Sequence, residues 1–290
     1  MISENSQSLS KVTKNILNKN GIKLNKNLGQ NYLIDKNKRD QIISFGNITE
    51  DDVILEIGSG IGTLTIEVAK RAEKVITIEQ DSKICEILKR RLKDEKIDNV
   101  EVINDDALKV DFCGFNKIIS NLPYQISSPI TFKFLEYDFD SAVLMYQKEF
   151  AQRMNGKVAT KDYSRLSAML YFKCDVELLS EVSPESFIPK PEVSSTVVRL
   201  TPKDNQLTTS EFETYSRFTK ALFQHRNKKI KNALIDSRHI ISSIDKKILK
   251  KRLAGIEDDV LNDYLSKRVI VLKPEEILEI SEKLNPIFVE

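Results

Sequence analysis

Over the first two thirds of the chain, short apolar runs alternate with stretches of helical period. Residues 53–57 read as a buried strand that passes at once into Gly58-Ser59-Gly60-Ile61-Gly62, and 63–71 predict a helix. Residues 75–79 are the next strand. In the helix expected over 82–92, Ile84, Ile87, Leu88 and Leu92 fall on one face. Strands follow at 100–103, 117–120 and 141–147, helices at 148–154 and 165–172, and closing strands at 174–182 and 196–200. A further helix is expected over 36–45, ahead of the first strand. Strands alternating with helices in this way predict an α/β fold with a mainly parallel, Rossmann-like sheet. From Ser210 the pattern becomes wholly helical. Ser210-Glu211-Phe212-Glu213 reads as a capping box, Tyr215, Phe218, Leu222 and Phe223 form an apolar stripe, and Pro274 opens a last helix. The expected organisation is a larger domain over 1–204 and a smaller, all-helical one over 205–290, with residues 1–20 a basic, partly loose arm.

The ends of the strands carry the chemistry. Alternate glycines after the first let backbone approach a ligand closely, but their G-x-G-x-G spacing is not the G-x-G-x-x-G of a dinucleotide site. Glu79 ends the second strand about 20 residues on, where an acid accepts from both ribose hydroxyls of a nucleoside. Asp105 and Asp106 follow the third, where a carboxylate suits an adenine amino group. The fourth runs into Asn121-Leu122-Pro123-Tyr124. Proline has no amide hydrogen and fixes φ, so the chain leaves the sheet there. That turn presents the Asn121 amide, the Leu122 carbonyl and the flat ring of Tyr124 at the sheet's carboxyl edge. Taken alone, Asn-x-Pro-Tyr is equally a plain strand-ending turn. Four successive strands ending in ligand-suited groups carry more weight than any one of them.

Composition narrows the classes. The 290 residues are 40% hydrophobic and carry a net charge of +2, enough for a proper core and too little for general nucleic-acid affinity. Contact with nucleic acid therefore falls to local patches. One is the arm, with Lys11, Lys14, Lys19, Lys23 and Lys26 against the single acid Glu4; another is Arg226, Lys228, Lys229 and Lys231. Each also reads as a solvated surface. No apolar run approaches the ~20 residues of a membrane span, and no signal-peptide core is present, so a cytoplasmic protein is expected. Cys85, Cys113 and Cys174 are odd in number and fit neither a disulfide framework nor a metal site, and the only histidines are His225 and His239.

Together, Asn31 in Gly-Gln-Asn-Tyr-Leu, the loop over 56–62, Glu79, Asp106-Ala107 and Asn121-Leu122-Pro123-Tyr124 resemble the ribosomal RNA adenine N6,N6-dimethyltransferases, the KsgA-like family of archaeal/eukaryotic-type dimethyladenosine transferases. The likeness continues through Gln147-Lys148-Glu149, Tyr163–Ser167, the F-x-P-x-P-x-V-x-S segment from Phe187 to Ser195, and the basic stretch from Leu222 to Lys229, covering about 22–285. Tyr32 and Ser59 depart from the residues more frequent in the family, without consequence for function.

The resemblance implies a class I methyltransferase sheet, a second domain that binds RNA, and S-adenosyl-L-methionine as cofactor. It implies a cofactor site of Asn31, Leu33, Gly58, Gly60, Glu79, Asp106 and Asn121, with catalysis by Asn121 and Leu122 on an adenine stacked between Tyr124 and Phe187. Phe187 alone also reads as a core residue beside a proline-rich turn. RNA contact is implied at Arg226, Lys228, Lys229 and Lys231. The expected reaction is dimethylation of two adjacent adenosines near the 3′ end of small-subunit ribosomal RNA, in a pre-ribosomal particle, by a monomer. Large-subunit RNA methylases share the fold; Leu122 and the 222–229 match favour the small subunit. Leu122 and the Phe187 segment also set the chain apart from protein-glutamine methyltransferases, and Asn121 from DNA enzymes that begin this turn with Asp. A non-catalytic ribosome-assembly factor is a further alternative, opposed by the intact glycine loop and turn.

Overall fold

The computed structural model describes residues 8–22, 31–204 and 207–288. In chain order these contain α1 (Leu9–Lys19), β1 (Tyr32–Leu33), α2 (Lys36–Phe45), β2 (Val53–Ile57), α3 (Thr65–Ala69), β3 (Lys74–Ile78), α4 (Ser82–Asp94), β4 (Val100–Ile103), β5 (Lys117–Asn121), α5 (Ser127–Phe134), β6 (Ser141–Gln147) and α6 (Lys148–Met154). Next come α7 (Arg165–Lys173), β7 (Cys174–Val182), β8 (Phe187–Ile188) and β9 (Ser195–Pro202), then α8 (Thr209–Phe223), α9 (Ile230–Asp236), α10 (Lys246–Ala254), α11 (Asp259–Ser266) and α12 (Pro274–Leu284). Contacts divide the chain into two compact units. One holds the chain up to Ala151 with Val176–Pro202; the other holds Gln152–Asp175 and the chain from Lys203 onward.

The first unit is built on a sheet of order β4-β3-β2-β5-β6-β9-β7. Strands β4, β3, β2, β5 and β6 are parallel, and β9 runs antiparallel to β6. The central strands read as continuous apolar runs because a parallel sheet is covered on both faces. Ile54, Val75, Ile118 and Leu144 are all fully buried. The chain goes outward from β2 through β3 to β4, then returns to β5 on β2's other side. That reversal opens a crevice at the carboxyl ends of β2 and β5, the place where such sheets bind ligands. A separate ribbon, β1 against β8, pairs Tyr32 with Ile188 and Leu33 with Phe187.

Among the described residues, the second unit's regular structure is helical apart from the residues of β7 that fall within it and one isolated bridge, Lys229 to Arg268. The apolar stripe of α8 is buried as expected at Tyr215, Phe218 and Leu222. The expected division at 204/205 lies two residues from the observed one at 202/203, and the second unit also takes in 152–175. The Tyr215 hydroxyl donates to the Ala168 carbonyl at 2.8 Å and Tyr163 to that of Leu272 at 2.7 Å, so α7 and the loop before it close over the C-terminal helices. Such pairing is tertiary and leaves no local periodicity to read. Helix α3 is also shorter than the expected 63–71, because the turn of the glycine loop runs on to Leu64.

The capping box of α8 lies two residues before the expected one. Thr208 is the N-cap; its hydroxyl accepts from the Glu211 amide at 3.3 Å and Glu211 accepts from the Thr208 amide at 2.6 Å. Both readings satisfy the S/T-x-x-E spacing, and Thr208 is the one with extended backbone at the helix start. Thr208→Ala is expected to cost about 1 kcal/mol, while exposed Ser210→Ala stays within about 0.5 kcal/mol. Denaturant unfolding followed by circular dichroism checks the contrast.

Candidate active site

Four strand ends converge on one cavity. Its walls include Gly58, Gly60, Glu79, Asp106, Asn121, Leu122, Asn31 and Leu33, so the expected cofactor residues share one space. Gly58 and Gly60 have φ of +77° and +54°, a region that favours glycine. A methyl group on Gly58 would meet Pro123 Cγ at 3.0 Å, and one on Gly60 would meet the Tyr32 ring at 3.0 Å. The loop therefore fits between the Asn121-Leu122-Pro123-Tyr124 turn and β1 only as glycine.

Glu79 stands just beyond β3, 9% exposed. One carboxylate oxygen accepts from the Gly60 amide and the other from the Asp81 amide, each at 3.0 Å. Burial raises its pKa, and these amides pull the other way by favouring the charged form. Asp106 is half-buried, accepts from the Leu108 amide at 3.0 Å and lies 3.7 Å from Lys109 Nζ. Asn121 Nδ2 donates to the Asn31 carbonyl at 3.1 Å. The amide's two heteroatoms diverge, so that bond turns Oδ1 away from Asn31. Leu122 is buried.

The two expected stacking residues are placed differently. Tyr124 is half-buried outside the cavity lining, its hydroxyl sharing a 2.5 Å hydrogen bond with that of Ser195, which fixes the direction of the side chain. Phe187 is 2% exposed, packed in a core cluster with Leu33, Ile42, Val182 and Val197, and does not line the cavity. The structure thus gives Phe187 the core position that its sequence allowed.

Some cavity residues carried no expected role in the site. Glu56 lines it from β2, where an acid in an apolar strand passed for part of the run. Tyr32, Ser59 and Thr63 line it too, and their hydroxyls are buried without a protein partner among the described residues. Buried polar atoms in native proteins are nearly always bonded, so three orphans around one space mark a place built for a polar ligand.

A sequence model of the ribosomal RNA adenine dimethylase family matches residues 21–271. The chain belongs to that family. It is 52% identical over 269 residues to "Probable ribosomal RNA small subunit methyltransferase A" of Methanosphaera stadtmanae, covering 93% of this chain and 96% of the relative. It is 44% identical to the protein of that name from Pyrococcus abyssi, covering 93% and 95%. Among solved structures it resembles a dimethyladenosine transferase from Plasmodium falciparum, with TM-score 0.74, 32% identity and coverage of 89% and 98%. It also resembles the 23S rRNA methyltransferase ErmE, with TM-score 0.61, 27% identity and coverage of 88% and 100%.

As a ribosomal RNA adenine dimethylase the protein is an enzyme that uses S-adenosyl-L-methionine, and the cavity suits that molecule. Buried Glu79 is an acceptor of the kind ribose hydroxyls require, the glycine loop admits close backbone approach, and the orphan hydroxyls offer partners to polar groups. The dimethylase's helical unit holds the expected RNA-binding residues, and two of them have structural duties. Arg226 donates to the carbonyls of Lys161 at 2.9 Å and Tyr163 at 3.1 Å, and Lys228 pairs with Asp236 at 2.9 Å. Lys229 is exposed and Lys231 half-buried. A basic face the reading passed over lies on α10, where Lys247, Lys250 and Lys251 are exposed and have no ion-pair partner among the described residues. Its sequence sign was the run from Lys246 to Arg252.

Glu79→Ala is expected to weaken S-adenosylmethionine binding about tenfold or more, since a hydrogen bond to a charged acceptor contributes roughly 1.5–3 kcal/mol. Calorimetry measures it, and unchanged affinity would remove Glu79 from the site.

Proposed function

We propose that this dimethylase places two methyl groups on N6 of each of two adjacent adenosines in a loop near the 3′ end of small-subunit ribosomal RNA. It acts as a single chain on a pre-ribosomal particle in the cytoplasm. Support for the small subunit is the 44–52% identity to relatives named for it, against 27% to ErmE. No helix among the described residues is long and apolar enough to cross a membrane.

The observation that carries the chemistry is the orientation of Asn121. The adenine amino nitrogen is a poor nucleophile because its lone pair is delocalised into the ring. When bound, S-adenosylmethionine supplies a methyl group on a positively charged sulfur. As the nitrogen accepts that methyl it becomes tetrahedral and positive, and its hydrogens become stronger donors. Asn121 Oδ1, held by the Nδ2 bond to Asn31, and the Leu122 carbonyl accept from those hydrogens more strongly in the transition state than in the ground state. The protonated product is a strong acid that loses its proton to water, so no side-chain base is required. Tyr124 offers the stacking surface for an extruded adenine. Phe187, as packed, supports β1 through its pairing with Leu33; stacking on a base requires its ring to leave that packing.

RNA is held by charge in the helical unit, with Lys229 and Lys231 joined by Lys247, Lys250 and Lys251 of α10. Cation–phosphate contacts of this kind make affinity fall steeply with salt.

Two measurements test the proposal. Incubation with unmethylated small and large ribosomal subunits, with products mapped by mass spectrometry, is expected to give N6,N6-dimethyladenosine at two adjacent small-subunit positions. Product confined to the large subunit, or only monomethyl product at saturation, refutes it. Asn121→Ala is expected to lower the single-turnover rate by about 10²-fold or more with RNA affinity nearly unchanged; an unaltered rate excludes Asn121 from catalysis.

A further inference from the structure

The segment from Phe187 to Ser195 is distinctive in sequence, yet the chemistry above leaves its Ser195 end without a task. Ser195 begins β9 and is 0% exposed. A buried hydroxyl needs a partner, and the one Ser195 has among the described residues is the Tyr124 hydroxyl, at 2.5 Å. The backbone under Ser195 is firmly held. It pairs with Gln147 at the end of β6, and the Lys148 amide donates to the neighbouring Ser194 carbonyl at 2.9 Å. Tyr124 comes from the turn after β5, and β6 lies between β5 and β9 in the sheet. One side-chain bond therefore ties the reacting turn to a strand two places away.

That bond holds Tyr124 at its tip. The backbone holds the other end, because Pro123 has its φ at −60° and Tyr124–Ile126 form one tight helical turn, closed by the Ile126 amide on the Pro123 carbonyl at 3.2 Å. With both ends fixed the ring keeps one freedom, rotation about its long axis, which a base stacking on it settles. Both chain neighbours of Tyr124, Pro123 and Gln125, line the cavity, which puts the ring at its margin. The axis of the ring then sets how far a stacked base stands from Asn121 Oδ1 and the Leu122 carbonyl.

Two successive methyl transfers make unequal demands on that distance. In the first, the amino nitrogen brings two hydrogens, one for each acceptor. Its lone pair bonds the methyl carbon as the carbon–sulfur bond breaks, the sulfur keeps that bond's electron pair, and the nitrogen then loses one proton to water. In the second, the nitrogen enters with a methyl group and a single hydrogen, so one of the two acceptors has nothing to receive. Hydrogen bonding now fixes the base less, and stacking has to fix it more. We propose that Ser195 is a positioning residue which, by pinning the tip of Tyr124, holds the monomethylated adenine in place for the second transfer. The inference rests on the two-methyl reaction proposed above.

Time courses on unmethylated small subunits with enzyme in excess, with mono- and dimethyl products followed by mass spectrometry, separate the two steps. Ser195→Ala is expected to slow the second transfer about tenfold and the first less than about threefold, so that N6-methyladenosine accumulates. Tyr124→Phe keeps the ring and removes the same bond from its other side. It should give the same product pattern, and the double variant should be no worse than either single one. The affinity of each variant for S-adenosylmethionine, measured by calorimetry, should match the wild type. A first transfer slowed as much as the second overturns the proposal, as do unchanged rates or effects that add in the double variant. If Ser195→Ala does not fold, Tyr124→Phe decides by the same comparison of the two rates. Failure of these variants beside a wild type that dimethylates leaves the two-methyl reaction standing; a wild type that stops at one methyl overturns both.

Discussion

Everything in the site depends on β2 having a parallel neighbour on each side. With β3 on one flank and β5 on the other, the loop after β2 cannot continue along either. It has to turn across the sheet edge, and Gly58 and Gly60 are the price of that turn at positive φ. The same arrangement sets Glu79 and Asn121 on opposite sides of the loop. One acid bonds the Gly60 amide, and the turn that follows Asn121 presses Pro123 toward Gly58. Cofactor pocket and reacting turn are thus two faces of one backbone crossing.

The parts legible in the sequence were those written locally. Buried parallel strands announce themselves as apolar runs, and the residue after each run has a fixed place at the sheet edge. Glu79, Asp106 and Asn121 could therefore be placed together without any knowledge of packing. Residues whose meaning is set by a distant partner were not legible. A guanidinium that braces carbonyls and one that grips phosphate look alike in a string of letters, and the bonds of Arg226 Nη1 to the Lys161 and Tyr163 carbonyls could not be read there. Phe187 shows the same ambiguity between a core residue and a stacking surface. Glu56 was hidden for the opposite reason: strand periodicity said that it was buried, but not that the space beside it was a cavity.

The distribution of charge follows from these constraints. Acids gather at the pocket, where Glu56, Glu79, Asp105 and Asp106 all line the cavity. Lysines gather on α9 and α10, where Asp236 lies between Lys228 and Lys246 and offsets part of their repulsion. The near-neutral total of +2 hides two fields of opposite sign, each suited to a different ligand.

The ribbon of β1 and β8 has a consequence for the order in which a working enzyme comes into being on the ribosome. Tyr32 and Leu33 find their partners in Ile188 and Phe187, and the Ile34 amide donates to the Ser186 carbonyl at 2.8 Å. The strand that follows Asn31, whose carbonyl accepts from Asn121, is thus anchored by residues made more than 150 positions later. A nascent chain that has emerged only as far as β6 holds the glycine loop, Glu79 and the Asn121-Leu122-Pro123-Tyr124 turn, but lacks the anchor for the wall that orients them. Contacts of such sequence separation form late, since the loop must close before they stabilise anything. Until β8 has been made, β1 therefore has no strand to pair with, and the residues that share its wall of the cavity wait on it.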